Sequence, residues 1–195
     1  MLKQGQLPIL LTNIVVIIAF SIFFIMSSNY EFLFYVLIVI GLISLIVFTN
    51  KKVNYPNDVL WGLTIWSCLH LAGGGINIGG TRLYDMMLIP ITENILRYDQ
   101  VIHIFGFGVA TLVMYTLMSP SLKEYRMVSL SIVIVMAGMG AGALNEVIEF
   151  AATLLDAANG VGGYVNASLD LISNMIGALI ALSYIITKEL KRRRK

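Results

Sequence analysis

The chain has 195 residues, of which 58% are hydrophobic and 12% are charged, and its mean hydropathy is +0.85. Soluble domains carry about 25% charged residues, so this composition excludes an ordinary soluble domain and indicates an integral membrane protein. The formal net charge of +2 reflects a basic C-terminal tail at 188–195, which is typical of a topology signal or an anionic-lipid contact and does not indicate nucleic-acid binding.

Long apolar runs predict an all-α polytopic membrane protein whose residues 1–195 form a single transmembrane helical domain. The predicted spans lie at about 8–26, 32–49, 59–74, 99–118, 127–152 and 167–187, with an interfacial outer loop at 75–97. The first run resembles a signal peptide. Its apolar part exceeds the usual ~7–15 residues and no small-residue cleavage site follows it, so we interpret it as a retained span. The third apolar run, from Val59 to about Ala72, is short for a bilayer, which favours a tilted helix, a broken helix or an extension into the glycines that follow.

The basic residues test the orientation of these six spans, because Lys and Arg favour cytoplasmic loops. With both termini in the cytoplasm, eleven of the thirteen Lys and Arg residues lie on the cytoplasmic side. Only Arg82 and Arg97 fall in the outer loop. The sequence therefore predicts a multi-pass protein of the cell membrane with both termini cytoplasmic. The lone cysteine, Cys68, lies in the third run and leaves one chain without a disulfide or a multi-cysteine zinc site.

Ionisable and amide side chains interrupt the apolar runs near the outer ends of spans three to six. Asp99 and His103 are four residues apart, so on a helix they share one face. Charged groups inside a span are costly and usually face the bundle interior, where they pair or carry function. Antiparallel spans bring these ends to one membrane level, so we expect one outward-facing polar pocket. The candidate catalytic residues are Asp99, His103, Glu146, Glu149 and Asp170, and the candidate binding residues are His70, Asn145 and Asn174.

Three chemistries fit these groups, and a structural polar network between helices is the alternative to all of them. A divalent metal such as zinc or manganese, held by His103, Glu149 and Asp170, activates water for hydrolysis. A glutamate and a histidine act as general acid and base without metal. The same groups relay protons or bind an ion in transport. Glu146 and Glu149 are the most informative pair, because carboxylates three residues apart on a helix repel unless a proton or a cation joins them.

Glycines support two further interpretations. Gly138 and Gly142 are four residues apart in the fifth span, which predicts close packing between helices. The glycine-rich stretches 73–80 and 158–163 offer backbone N–H groups to an anionic headgroup, although neither contains a phosphate-loop motif.

Four motifs follow one another between about residues 70 and 180. They are His70-Leu71-Ala72-Gly73-Gly74, Arg97-Tyr98-Asp99-Gln100-Val101-Ile102-His103-Ile104-Phe105-Gly106-Phe107, Glu146-Val147-Ile148-Glu149-Phe150 and Asp170-Leu171-Ile172-Ser173-Asn174-Met175-Ile176-Gly177. These motifs resemble the YjdF-type uncharacterised inner-membrane proteins, which are themselves similar to VanZ-like membrane proteins. The resemblance implies a compact helical membrane domain with a polar pocket at those positions. For the VanZ-like branch it also implies a link to the cell envelope and to glycopeptide tolerance.

The leading functional hypothesis is that the pocket binds or hydrolyses a lipid-linked or amphipathic molecule of the cell envelope. His103 would serve as acid, base or metal ligand, the glutamates as base or ligands, and Asp170 with Asn174 would orient a partner. The cofactor that these groups admit is a divalent metal, and the expected partners are membrane lipids and an envelope substrate. The alternatives are a proton- or ion-coupled transporter and a non-catalytic accessory protein.

Overall fold

The structure is a computed structural model that describes residues 3, 5–92, 95–122, 124–155 and 163–193. Six α-helices make up most of these residues, as an all-α membrane fold requires. Their bounds are α1 Gln6–Met26, α2 Tyr30–Val53, α3 Asn57–Gly75, α4 Tyr98–Met118, α5 Met127–Leu155 and α6 Tyr164–Arg193.

The segment between α3 and α4, predicted as an interfacial loop, contains two short antiparallel hairpins. The first pairs β1 (Asn77–Ile78) with β2 (Thr81–Arg82), and the second pairs β3 (Met87–Thr92) with β4 (Ile95–Arg97). Gly79 and Gly80 form the first turn with φ of 61° and 85°. Two consecutive positive φ angles suit a tight hairpin turn, and glycine adopts them without strain. The strands are too short to show a periodic pattern in the sequence.

Five helices in the described part of the chain are long and apolar enough to cross a membrane. They are α1, α2, α4 with the turn that follows it, α5 and α6. The third predicted span, α3, is not among them, because Asn57, Asp58 and His70 reduce its apolar character. The structure extends α3 into the glycines as far as Gly75, one of the alternatives for this short run. The six-span topology and the cytoplasmic termini remain predictions.

Two helices are longer than the predicted spans. α5 continues to Leu155 and α6 continues to Arg193. The added turns of α6 contain Glu, Leu, Lys and Arg, which are strong helix formers, and cations stabilise the C-terminal end of a helix dipole. The glycine-rich loop predicted between α5 and α6 lies mostly outside the described residues.

The chain divides into two compact units, residues 1–102 and 103–195, with the division inside α4. The N-terminal unit packs α1, α2 and α3 through buried amides. Asn13 Nδ2 in α1 donates to Thr64 Oγ1 in α3 at 2.7 Å, and Asn50 Nδ2 in α2 donates to Gln6 Oε1 in α1 at 2.8 Å. Such hydrogen bonds join helices in a lipid environment, where apolar contacts alone do not favour one packing over another.

The C-terminal unit packs α4, α5 and α6 closely. A Cβ atom placed on Gly177 in α6 would lie 2.2 Å from the carbonyl oxygen of Ile104 and 2.8 Å from the amide nitrogen of Gly108, both in α4. A Cβ atom on Gly138 in α5 would collide with the buried side chain of Thr111. The packing role predicted for Gly138 is therefore confirmed, and the backbones of α4 and α6 meet with no room for a side chain.

A second feature of this unit joins the C-terminal half of α6 to α4 and to the segment before α5. Glu189 in α6 is 3% exposed. Its carboxylate accepts hydrogen bonds from the hydroxyls of Tyr115 at 2.6 Å and Tyr125 at 2.7 Å. An apolar cluster built around Leu130, Ile134 and Ile185 packs beside these tyrosines.

Candidate functional site

Three of the predicted site residues meet in the C-terminal unit. His103 lies in the second turn of α4, and Glu146 and Glu149 lie in the last third of α5. One ligand atom from each of the three residues lies within 4.8 Å of the others. His103 Nδ1 is 3.9 Å from Glu146 Oε1, and His103 Nε2 is 4.0 Å from Glu149 Oε1. We call this group the His103–Glu146–Glu149 cluster.

The imidazole of His103 is held by an amide from α6. Asn174 Oδ1 lies 3.0 Å from His103 Nδ1, and both residues are buried. An amide oxygen only accepts hydrogen bonds, so Nδ1 carries the proton in this arrangement. In the neutral ring the lone pair is then on Nε2, the nitrogen that faces Glu149. The contact therefore selects the tautomer in which Nε2 can act as a base or a ligand.

Gly142 makes room for Asn174. A Cβ atom on Gly142 would lie 2.5 Å from Asn174 Nδ2 and 2.8 Å from its Cγ, so a larger residue would displace this amide. Asn174 is fully buried, and its Nδ2 makes no hydrogen bond with any residue that the structure describes. Gly142 and Glu146 are four residues apart on α5 and share one face. The glycine that packs against Asn174 and the carboxylate of Glu146 therefore lie on the same face of α5.

The two glutamates differ from His103 in their access to the surroundings. Their side chains are 14% and 16% exposed, against 7% for His103. Asn145 Nδ2 donates to Glu149 Oε1 at 2.7 Å, which orients this carboxylate. Two carboxylates three residues apart at this depth repel one another, so the site favours a proton or a cation between them.

Asp170 lies beside the cluster in α6 and is fully buried. One of its carboxylate oxygens lies within 4.8 Å of a ring nitrogen of His103. Its Oδ2 accepts a hydrogen bond from Asn166 Nδ2 at 2.6 Å, one turn earlier in the same helix. Asp170 adds a third carboxyl group next to His103. Within the C-terminal unit, the three ligand atoms that lie close together belong to His103, Glu146 and Glu149.

Two predicted site residues, His70 and Asp99, belong to the N-terminal unit. Asp99 is partly buried in the first turn of α4, where a carboxylate is favoured by the helix dipole. His70 in α3 is surrounded by aromatic rings. Trp66 stacks on it with centroids 5.2 Å apart, and Tyr35 meets it edge-on at 5.4 Å. His70 Nδ1 also hydrogen-bonds to the hydroxyl of Tyr84, so aromatic packing and this hydrogen bond both orient the ring.

Two residues that hydrogen-bond to predicted site residues, Asn166 and Tyr84, were not identified from the sequence. Asn166 is four residues before Asp170, and that spacing on a predicted helix is the signal that would have identified it. Tyr84, the partner of His70, is separated from it by the first hairpin and carries no local signal.

The three-helix arrangement in the C-terminal unit can bind a cation or exchange protons with a bound molecule, because a histidine nitrogen and two carboxylates converge there.

Comparison with known proteins gives one finding. No match was found among curated proteins or among solved structures. The family model described as "Predicted membrane protein (DUF2238)" matches residues 8–190. YjdF is the archetype of that family, so the YjdF part of the resemblance is confirmed, whereas similarity to VanZ is not shown. Several apolar helices support the same description. The chain therefore belongs to the DUF2238 family of predicted membrane proteins.

Proposed function

We propose that the His103–Glu146–Glu149 cluster binds, and hydrolyses, the polar head of an amphipathic or lipid-linked molecule of the cell envelope. One observation carries the proposal, namely the meeting of a buried imidazole and two partly exposed carboxylates between apolar helices. Ionisable groups at such a depth are costly, so they are retained where they serve a site. An amphipathic molecule reaches a site of this kind from the membrane, with its head at the polar groups and its apolar part among lipids.

The proposed topology places this site on the outer side of the cell membrane. Six spans with cytoplasmic termini are supported by the distribution of Lys and Arg, since eleven of the thirteen lie in the predicted cytoplasmic segments. In this topology α4 and α6 begin outside and α5 ends outside. The cluster lies near those ends, so its occupant comes from the outer leaflet.

The groups of the cluster suit hydrolysis by general acid and base. His103 Nε2 accepts a proton from water as the water oxygen bonds to the carbonyl carbon or phosphorus atom of an ester. A protonated glutamate of the cluster then donates its proton to the leaving oxygen as the ester bond breaks. Asn174 keeps Nε2 available for this role, because its Oδ1 accepts a hydrogen bond from the Nδ1–H group of His103.

The test compares the lipids bound to wild type, His103→Ala and Glu149→Ala. Each protein is purified in detergent, incubated with a total cell-envelope lipid extract both with a chelator and with added Zn²⁺ or Mn²⁺, and analysed by native mass spectrometry. We expect wild type to retain a lipid-linked species that both variants bind at least about tenfold more weakly, a loss of about 1.4 kcal/mol. Glu124→Ala is the control, because Glu124 is an exposed acid of the same unit.

Heat stability of the same proteins separates a binding site from a structural network. We expect the two site variants to stay monodisperse on size-exclusion chromatography after heating to temperatures that wild type survives. If instead both variants lose stability as much as binding, the cluster serves to hold the helices together and the proposal fails.

A proton- or ion-coupled transporter is the second candidate, and Glu189 favours it. His103, Thr111 and Tyr115 share one face of α4, and Tyr115 donates to the buried carboxylate of Glu189. Phe107 interrupts this line, because its ring packs against His103 with centroids 5.5 Å apart. Proteoliposomes that show pH-dependent ion flux, abolished by Glu146→Gln, would favour transport over binding and hydrolysis.

A further inference from the structure

We infer that the His103–Glu146–Glu149 cluster is a binding site for one divalent cation of the zinc or manganese class. Its ligands are His103 Nε2 and one carboxylate oxygen from each glutamate. The inference rests on the same site as the proposed function, to which it adds a metal ion. The sequence predicted Asp170 as the third metal ligand, and the inference assigns that role to Glu146.

The distances in the cluster are somewhat longer than those between the ligands of a bound ion. Tetrahedral zinc with bonds of about 2.0 to 2.1 Å separates its ligand atoms by roughly 3.3 Å. His103 Nε2 and Glu149 Oε1 are 4.0 Å apart, and one nitrogen of the His103 ring lies within 4.8 Å of a carboxylate oxygen of both glutamates. A bound ion would therefore draw these ligand atoms closer together. One nitrogen and two carboxylate oxygens are also a ligand set that these metals accept.

The residues around the ligands are arranged as in metal centres. A ligating histidine normally donates its other N–H to a neighbouring acceptor, which fixes the ring and raises its basicity. His103 has this partner in Asn174 Oδ1, 3.0 Å from Nδ1. Glu149 is oriented in the same way by Asn145 at 2.7 Å. Two of the three proposed ligands thus have a polar neighbour that fixes their direction, one from α6 and one from α5 itself.

Asn174 supplies an independent sign of a ligand. Its amide is 0% exposed, yet its Nδ2 makes no hydrogen bond with any described residue. A buried amide N–H without an acceptor loses its hydrogen bonds to water without replacement, so such groups usually have a partner. An anionic ligand, or water held by a cation, provides that acceptor next to His103.

Charge also limits which headgroups the site can take. Glu146 and Glu149 meet near the buried Asp170, so the site repels anions in the absence of a cation. A divalent ion reverses this preference, because three protein ligands leave at least one coordination position open. The site then suits a phosphate or carboxylate head on an amphipathic molecule.

The experiment measures metal binding with Zn²⁺ and Mn²⁺ alone. Full-length protein in detergent is stripped with a chelator, dialysed, and titrated by isothermal calorimetry, with metal content checked by elemental analysis. We expect one ion per chain for wild type and at least about tenfold weaker binding for each of His103→Asn, Glu146→Gln and Glu149→Gln. The isosteric glutamine variants keep the shape of the side chains, and Glu124→Gln is the matched control on the surface.

Each result has one meaning. No stoichiometric ion in wild type overturns the inference, and so does wild-type affinity in any of the three variants. If Asn174→Leu weakens metal binding and Asn174→Asp restores it, the acceptor role assigned to Asn174 is supported, since Asp keeps the oxygen that faces Nδ1. Lipid retention, measured both with chelator and after Zn²⁺ or Mn²⁺ is restored, tests the proposed function separately. Retention without metal binding therefore rejects only the inference, and metal binding without any lipid rejects only the proposed function.

Discussion

Gly177→Ala is expected to destabilise the C-terminal unit strongly, although it adds a single methyl group. The new Cβ would lie 2.2 Å from the carbonyl oxygen of Ile104 and 2.8 Å from the amide nitrogen of Gly108. Both atoms belong to the backbone of α4, so no side-chain rotation relieves the collision. The helices must move apart, which costs about 3 kcal/mol or more and also withdraws Asn174, three residues earlier in α6, from His103.

Gly140→Ala provides the matched control for this substitution. Gly140 lies in the middle of α5, and a Cβ atom there has no neighbour within 4 Å. We expect Gly140→Ala to equal or exceed wild type in stability, because alanine favours a helix more than glycine does. The measurement is the fraction of protein that stays monodisperse on size-exclusion chromatography after stepwise heating. Equal survival of the two variants would show that α4 and α6 do not meet this closely.

Glu189→Ala is expected to cost about 3 to 5 kcal/mol of stability. The substitution removes the carboxylate that Tyr115 and Tyr125 share as an acceptor, and hydrogen bonds to charged groups contribute about 1.5 to 3 kcal/mol each. It also leaves a cavity beside the cluster at Ile134 and Ile185. Glu189→Gln is expected to be milder, because its amide oxygen still accepts one of the two hydroxyls.

A double-mutant cycle with Tyr125→Phe distinguishes this hydrogen bond from a loss of packing. In the wild-type background Tyr125→Phe removes a donor and lowers stability. In the Glu189→Ala background the hydroxyl has already lost this acceptor, so its removal is expected to change stability by less than about 0.5 kcal/mol. The same heating assay applies to all four proteins. Strictly additive effects would mean that the carboxylate and the hydroxyl do not interact.

The helices and the membrane class could be predicted because they depend on long apolar runs. The runs place α1, α2, α4 and α5 within a few residues of their observed bounds, and they place the start of α6 equally well. The hairpins at Asn77–Arg82 and Met87–Arg97 could not be predicted, since strands of two to six residues carry little periodic signal and depend on turn geometry. The length of α6 was underestimated because its last turns are charged rather than apolar.

The candidate site could be predicted in its residues but not in its contacts. Spacing on a helix places Glu146 and Glu149 on one face, and that local rule needs no knowledge of neighbouring helices. The contact between Asn174 and His103 depends on how α4 and α6 are rotated about their axes, which the sequence shows only through the small residues at Gly142 and Gly177. The buried position of Glu189 was missed for the same reason, because its acceptor role appears only when Tyr125 folds back onto α6.

The chain has two histidines, and each reports on one unit of the molecule. Protein labelled with ¹⁵N only at histidine would therefore give a spectrum with four ring nitrogens, simple enough to assign in a detergent micelle. His70 is expected to show ring-current displacement of its carbon-bound protons, because Trp66 and Tyr35 pack against it. His103 is expected to show a protonated Nδ1, and the chemical shift of its Nε2 would follow metal titration without any substitution in the site. One labelled sample therefore gives two measurements. The signals of His70 report its aromatic surroundings, and the Nε2 signal of His103 reports the proposed ligand atom.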